Sequence, residues 1–357
     1  MEELIDELLS RRPSLRGKEV ATALGLDKSA VNAFLHNRRD KYQQDSNFCW
    51  SFAAQEAIVI LPNGWTSSPE FERLLWKGTA GRQLREIKFE VENGCRLLFE
   101  SIARLLAVSN QCAKQGLRVT LDFSEDLAIR SYLSRMAFFE RLDPAVHVLP
   151  SRPTDSLAQR YQGNSDSLLE IEAVCNTEAG NAELCRQLLG KFIQNTDHRY
   201  EVAAGTIFSE LINNVYEHSG ACSTGFAGLQ KYEGRVPHIQ TIVSDLGVGI
   251  AASLRRTLET HYPEVFSRYG VGSISHDIAL VRQAVVEGGL SEFGSGHGAG
   301  LHCSHARSAA FNARFEVRQE RFCLSFEYIN GNLARPTATF DVFPLRGTHI
   351  CFDFKLV

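Results

Sequence analysis

The sequence predicts an α/β and α+β protein of several domains, and three observations carry that prediction. The chain has 357 residues, more than one small core organises. Its pattern changes twice: short helices and an aromatic hairpin over 1–55, strands alternating with helices over 56–165, then a segment of helices followed by several strands over 166–357. Between the second and third parts, Ser151-Arg-Pro-Thr-Asp-Ser through Gly163-Asn-Ser-Asp is polar and punctuated by Pro and Gly, as a linker is.

Composition narrows the function classes. An apolar fraction of 44% and a charged fraction of 22% are those of an ordinary globular protein. A net charge of −4 argues against a protein that coats nucleic acid with its whole surface, while leaving room for a local basic patch. There is no N-terminal stretch of signal-peptide type and no apolar run near membrane-spanning length. The nine cysteines include no Cys-x-x-Cys pair, so reduced thiols in a cytoplasm, away from membranes, are expected.

In the first part, Leu4, Ile5, Leu8 and Leu9 mark one apolar helix face. After Pro13 a second helix runs through Glu19-Val-Ala-Thr-Ala-Leu24 and stops at Gly25. Asp27 or Ser29 caps a third helix with Val31, Phe34 and Leu35 on its buried side. A polar turn, Gln43–Asn47, leads into Phe48, Trp50 and Phe52 on alternate positions. This order resembles a winged helix-turn-helix, including nucleic-acid-binding versions with Lys-x-x-Val-Asn-x-x-Leu in the third helix (here Lys28 to Leu35). From Arg11 to Lys41 eight Lys/Arg stand against three acidic residues. Lys28, Ser29, Asn32 and His36 lie opposite Val31 and Leu35, with Arg38 and Arg39 just beyond. Lys and Arg suit the phosphates of DNA or RNA, and Asn32 suits a base edge. The same fold also serves as a protein-docking module.

In the second part, strands are expected at Ala57–Leu61, Ile87–Val91, Leu117–Phe123 and Val146–Leu149. A long helix is expected from Gly94 to Lys114, with Leu97, Leu98, Ile102, Leu105 and Leu106 at helical spacing, and a shorter one from Ile129 to Leu142. Val119-Thr-Leu-Asp-Phe-Ser124, followed by a helix ending Ala137-Phe-Phe-Glu140, looks like the STAS fold of anti-anti-sigma proteins. That resemblance implies a protein partner for this part. It also places Ser131 at the phospho-acceptor position, although Tyr132 and Leu133 replace the small residues found there and a helix cap is the plainer reading.

The third part opens with a strand (Leu168–Val174), a helix (Ala182–Ile193) and a second helix (Glu201–His218). Three blocks follow. In Glu210-Leu-Ile-Asn-Asn-Val-Tyr-Glu-His218, helical spacing aligns Glu210, Asn214 and His218, with Asn213 and Glu217 beside them. Ile239-Gln-Thr-Ile-Val-Ser244 alternates as a strand and delivers Asp245, then Gly247, Gly249 and Ile250. Gly294-Ser-Gly-His-Gly-Ala-Gly-Leu301 precedes an apolar-faced helix. Its glycines let N–H groups approach an anion, and the helix N-terminus adds favourable partial charge. The Gly-Lys-Ser/Thr ending of a Walker A loop is absent, which disfavours kinases and GTPases of that type.

Singly, the blocks read as a polar helix face, a turn and a flexible linker. Together, with Gly347-Thr348 near the C-terminus, they resemble the ATP-site motifs of the superfamily containing gyrase, histidine-kinase and mismatch-repair ATPases (GHKL, the Bergerat fold). The resemblance implies a Mg²⁺-dependent ATP site. Asn214 is then the Mg²⁺ ligand, Glu210 the general base, and Asp245 the acceptor for the adenine amino group. Asn213, Glu217, His218, Gly247, Gly249, Ile250, Gly296, His297, Gly298, Ala299, Gly300, Leu301 and Thr348 line the nucleotide. The segment between Ile250 and Gly294 matches the family's mobile lid, whose Arg255, Arg256 and Arg268 are candidate phosphate contacts, a solvated role being the plainer reading. His302, Cys303 and His305 invite a zinc reading, but on a helix behind a glycine run packing is the plainer one.

No His-Glu-x-x-x-Pro box stands upstream, which makes a sensor histidine kinase improbable. Three readings remain: an ATP-hydrolysing conformational switch with a nucleic-acid or partner arm, an anti-sigma-type serine kinase, and an ATP-sensing DNA-binding regulator without turnover. A nucleotide-dependent homodimer is the expectation drawn from the resemblance.

Overall fold

The computed structural model describes the chain apart from Pro13, Asp40, Ala54, residues 219–224, Val271, residues 292–301, Cys303, His305, Ala306, residues 308–310, Val357 and the side chains of Ser10, Arg11 and His218. It is a mixed α/β structure with several sheets.

The N-terminal unit comprises α1 (Glu2–Arg11), β1 (Leu15–Arg16), α2 (Gly17–Leu24), α3 (Lys28–Asn37), β2 (Tyr42–Gln44) and β3 (Cys49–Phe52). Gly25 ends α2 in the left-handed region, and Asp27, rather than Ser29, caps α3 by accepting from Ala30 N at 2.9 Å. The strands pair in the order β1-β3-β2, so the expected hairpin gains a third strand. Ile5, Leu9, Val20, Val31, Leu35, Tyr42 and Trp50 form a separate core. Phe48 departs from its expected alternation with Trp50. It sits in the turn at φ +61° and is 70% exposed.

The second unit runs through β4 (Gln55–Leu61), β5 (Gly64–Thr66), α4 (Ser68–Thr79), β6 (Leu84–Val91), β7 (Cys95–Leu97), α5 (Phe99–Lys114), β8 (Arg118–Asp122), α6 (Leu127–Arg135), α7 (Phe138–Arg141), β9 (His147–Leu149) and α8 (Leu157–Tyr161). Its main sheet is parallel, ordered β4-β6-β8-β9. The long helix starts at Phe99 instead of Gly94, because Cys95–Leu97 pairs with Gly64–Thr66. The shorter helix breaks at Ala137, φ +61°, into α6 and α7. Asp126 caps α6. Ser131 therefore lies inside the helix, neither at its start nor a cap, and its hydroxyl donates to Leu127 O at 3.0 Å.

The third unit runs β10 (Leu168–Ala173), α9 (Glu178–Gln194), α10 (Glu201–His218), β11 (Phe226–Tyr232), β12 (His238–Ser244), α11 (Ile250–Arg255), α12 (Leu258–His261), α13 (Pro263–Tyr269), α14 (Ile274–Val286), β13 (Ala313–Gln319), β14 (Phe322–Ile329), β15 (Asn332–Leu333), β16 (Thr337–Thr339) and β17 (His349–Lys355). Its antiparallel sheet is ordered β10-β11-β12-β17-β13-β14, with β15 and β16 both on β14. One face carries Leu229, Ile239, Val243, Phe315, Val317, Phe352 and Phe354 against Leu188, Phe192, Phe208 and Leu211 of α9 and α10. This two-layer arrangement removes the apolar stripes of both helices from water.

The other face of that sheet is covered by α5, thirteen of whose sixteen residues are buried. The helix is therefore shared between the parallel sheet and the antiparallel one. One apolar cluster joins Val59, Phe89, Ile102, Leu105 and Leu121 to Phe226, Ile242, Leu345 and Cys351. The contact is also ionic. Arg318 pairs with Glu72 at 2.9 Å and Arg104 with Glu316 at 3.0 Å, and Arg314 pairs with Glu100. Ser68 donates its N–H to Glu100 at 2.9 Å and its hydroxyl to Glu316 at 3.0 Å. Burial works against the Glu316 charge, but Arg104 and Arg314 outweigh it and hold that carboxyl below the usual range. Glu72, Glu100 and Glu316 are matched by Arg104, Arg314 and Arg318, with Asp353 3.9 Å from Arg314, and such pairing is the condition for burying charge. No helix among the described residues is long and apolar enough to cross a membrane.

Candidate functional site

The candidate site forms where β12 and β17 meet. The two strands pair from His238↔Lys355 to Ser244↔His349, so Asp245 and Thr348 emerge together at one end of the sheet. They are joined twice. Asp245 N donates to Thr348 O at 2.9 Å, and Thr348 N donates to Asp245 Oδ2 at 3.2 Å. Gly247 N donates to Oδ1 at 2.6 Å. Asp245 is 8% exposed. Burial pushes its carboxyl up to about 6 against the opposing pull of the two N–H donors.

Two glycines make this closeness possible. Gly347 has φ +89°, and a Cβ there would collide with the Asp245 carbonyl. Gly249 has φ +82° at the start of α11, and its Cβ would fall 2.9 Å from Gln319 Oε1 and 3.2 Å from Gly347 O. Gln319 is a site residue missed in the sequence. It accepts from Ile250 N at 2.8 Å and donates to Thr348 Oγ1 at 3.2 Å. The signal for it was a polar residue in phase with Ala313, Phe315 and Val317 on an otherwise apolar strand face.

The motif helix α10 reaches the same end of the sheet. A side chain at Gly225 would strike Val215 and come within 3.3 Å of Ser244 O, so the last turns of α10 lie beside the exit of β12. Leu211, Ile212 and Val215 face the core, Asn213 and Glu217 are exposed, and Glu210 and Asn214 lie half-buried at the boundary. Among the described residues the buried Asn214 Nδ2 has no hydrogen-bond partner, as is also true of Ser109 Oγ and Thr241 Oγ1. Burial, with the nearby Glu217 charge, raises the Glu210 carboxyl above its ordinary value.

Gly296, His297, Gly298, Ala299, Gly300, Leu301 and the side chain of His218 lie outside the described residues, as do Cys303 and His305. The segment after Ile250 is helical, with its own small core of Leu254, Leu258, Leu280, Ala284 and Leu290. Arg255 is committed within that segment. It binds Asp277 at 2.6 Å and Gly270 O at 3.0 Å, along with Tyr269 O, while Arg256 and Arg268 are exposed. Among the described residues no group of three or more His, Cys, Asp and Glu could hold a metal ion. A cavity of about 430 Å³ lined by Phe192, Tyr200, Phe311 and Lys355 lies at the opposite end of the sheet, away from every motif residue.

Lys28, Ser29 and His36 on α3, and Arg39 just after it, are exposed. Asn32 is half-buried against Gly17. Arg38 turns to Glu2 of α1 at 2.9 Å, and Lys41 to Asp6 at 2.6 Å. Part of the basic excess is therefore neutralised by an acidic helix that precedes it.

No model of a known protein family matches the chain, and no curated protein matches it.

Proposed function

We propose that the chain binds Mg·ATP in the cleft bounded by Asp245, Thr348, Gly249 and the Glu210–Asn214 flank of α10, and hydrolyses it as a conformational switch of GHKL type. The observation that carries this reading is the Asp245–Thr348 pair. A buried carboxylate is held by two backbone N–H groups beside a hydroxyl, at the end of a sheet where Gly249 and Gly347 let the backbone pack closely around it. Asn214, half-buried on α10, is the proposed metal ligand through its side-chain oxygen. Mg²⁺ takes one or two protein oxygens and leaves the rest to water and phosphates. It would neutralise the phosphate charge. Glu210, with its raised pKa, can accept a proton from the attacking water at neutral pH. The N-terminal unit is the proposed arm for DNA, RNA or a protein partner, through Lys28, Ser29, His36 and Arg39. The second unit is the proposed protein-docking module.

The test is phosphate release from Mg·ATP by wild type and Glu210→Gln, with a phosphoprotein gel run on the same reactions. The switch reading expects release by wild type, a fall of about a hundredfold or more in Glu210→Gln, and loss of release on chelating Mg²⁺. A labelled protein without free phosphate favours the serine-kinase reading, for which Ser131, exposed on α6, is the first position to mutate. Binding with neither product favours ATP as a regulatory ligand of a DNA-binding protein.

A further inference from the structure

The polarity of the cleft's hydrogen bonds is fixed by Gln319. Its side chain is buried, 3% exposed, at the end of β13. Oε1 accepts from Ile250 N at 2.8 Å. A backbone N–H only donates, so this bond determines which end of the amide is oxygen. Nε2 must then face Arg318 O at 3.3 Å and Thr348 Oγ1 at 3.2 Å, one proton for each. Thr348 Oγ1 is thus an acceptor toward Gln319, which leaves its own proton to be donated elsewhere. Beside it, Asp245 keeps acceptor capacity, since a carboxylate has about four lone-pair sites and two N–H groups occupy it here.

We propose that Gln319 is a specificity-determining positioning residue: it holds the Thr348 hydroxyl as a donor next to the Asp245 acceptor, a pair that matches adenine and mismatches guanine. Adenine offers an N1 acceptor beside an N6 amino donor. Guanine offers the reverse, an N1–H donor beside an O6 acceptor. Guanine would set its O6 acceptor against the buried Asp245 carboxylate, a costly mismatch of like partners, and would leave the hydroxyl proton without the N1 acceptor that adenine offers. The proposal rests on the reading of this cleft as an adenine-nucleotide site.

The test measures dissociation constants for ATP and for 1-deaza-ATP, which keeps the amino group but replaces N1 by C–H. Wild type, Gln319→Glu and Thr348→Val are compared by calorimetry. Gln319→Glu keeps an oxygen for Ile250 N but replaces the donor with an acceptor, turning the hydroxyl round. Thr348→Val removes the hydroxyl at nearly constant shape and covers the case in which a buried carboxylate at 319 prevents folding. Wild type is expected to prefer ATP over 1-deaza-ATP by about tenfold, the worth of one hydrogen bond. In both variants ATP should weaken by about that factor while 1-deaza-ATP hardly changes, so the ratio falls to about one. A merely structural Gln319 would weaken both nucleotides together and keep the ratio. A preserved ratio in the variants, or a wild type that binds ATP without distinguishing the analogue, overturns the role of Gln319 and leaves the nucleotide site standing. A wild type that binds neither nucleotide overturns both.

Discussion

Asp245 is the residue on which the cleft's pH behaviour turns. Its carboxyl is lifted to about 6 in the free protein by burial, above the usual aspartate value near 3.9. In the free protein, the stability linked to this group is therefore present at acid pH and lost as pH rises through about 6. At the proposed site nucleotide binding should run the other way, because an amino donor there needs the ionised acceptor. ATP affinity should hold between pH 7 and 8 and fall as pH drops below about 6, by up to about tenfold per unit. Asp245→Asn should bind weakly throughout and lose the slope. Fluorescent-nucleotide titrations from pH 5 to 8 check this, and a flat wild-type profile would contradict it. Asp245, Glu210 and Asn214 could be picked out from the sequence because each belongs to a short local block. Gln319 left only the faint signal of a polar residue in phase with an apolar strand face, since its partners Ile250 and Thr348 stand 69 and 29 residues away. The Arg38–Glu2 pair was hidden for the same reason, since the two residues stand 36 apart.

At the scale of elements, β13 shows where pattern reading stops. Ala313-Arg314-Phe315-Glu316-Val317-Arg318-Gln319 alternates apolar and charged residues, which ordinarily marks a strand with one wet face. Both faces are buried. The charged row meets Glu72, Glu100 and Arg104, supplied by α4 and α5 from more than 200 residues upstream. Helix α5 misled in the mirror sense: its apolar spacing gave one face correctly, while its polar face, with Glu100, Arg104 and Gln111, is buried too. Breaking such a pair strands a charge. Arg318→Ala should cost about 3–5 kcal/mol by urea unfolding, and the double change Glu72→Leu with Arg318→Met should recover most of it. A loss below about 1 kcal/mol for Arg318→Ala would show that water reaches the cluster.

In the whole molecule, one sheet has both of its faces covered. Its α9/α10 side and the ends of β12 and β17 form the proposed nucleotide cleft, and its other side is fused to the second unit through α5. Arg318 and Gln319 are adjacent on β13 and point to opposite sides, one into the ion cluster and one into the cleft. Thr348 and Ile250 are therefore linked to the interface through one hydrogen-bonded side chain and one peptide step. The sequence pattern changes near residues 55 and 165, but one apolar cluster runs across the second change. That continuity was not legible, because it is made by contacts between distant segments. The account stands on adenine-nucleotide binding at Asp245, and calorimetric titration of Mg·ATP into wild type and Asp245→Ala tests it most directly. Saturable one-site binding by wild type, weakened about tenfold or more in a folded Asp245→Ala, is the predicted result. No binding by wild type, or equal binding by the two proteins, would contradict it.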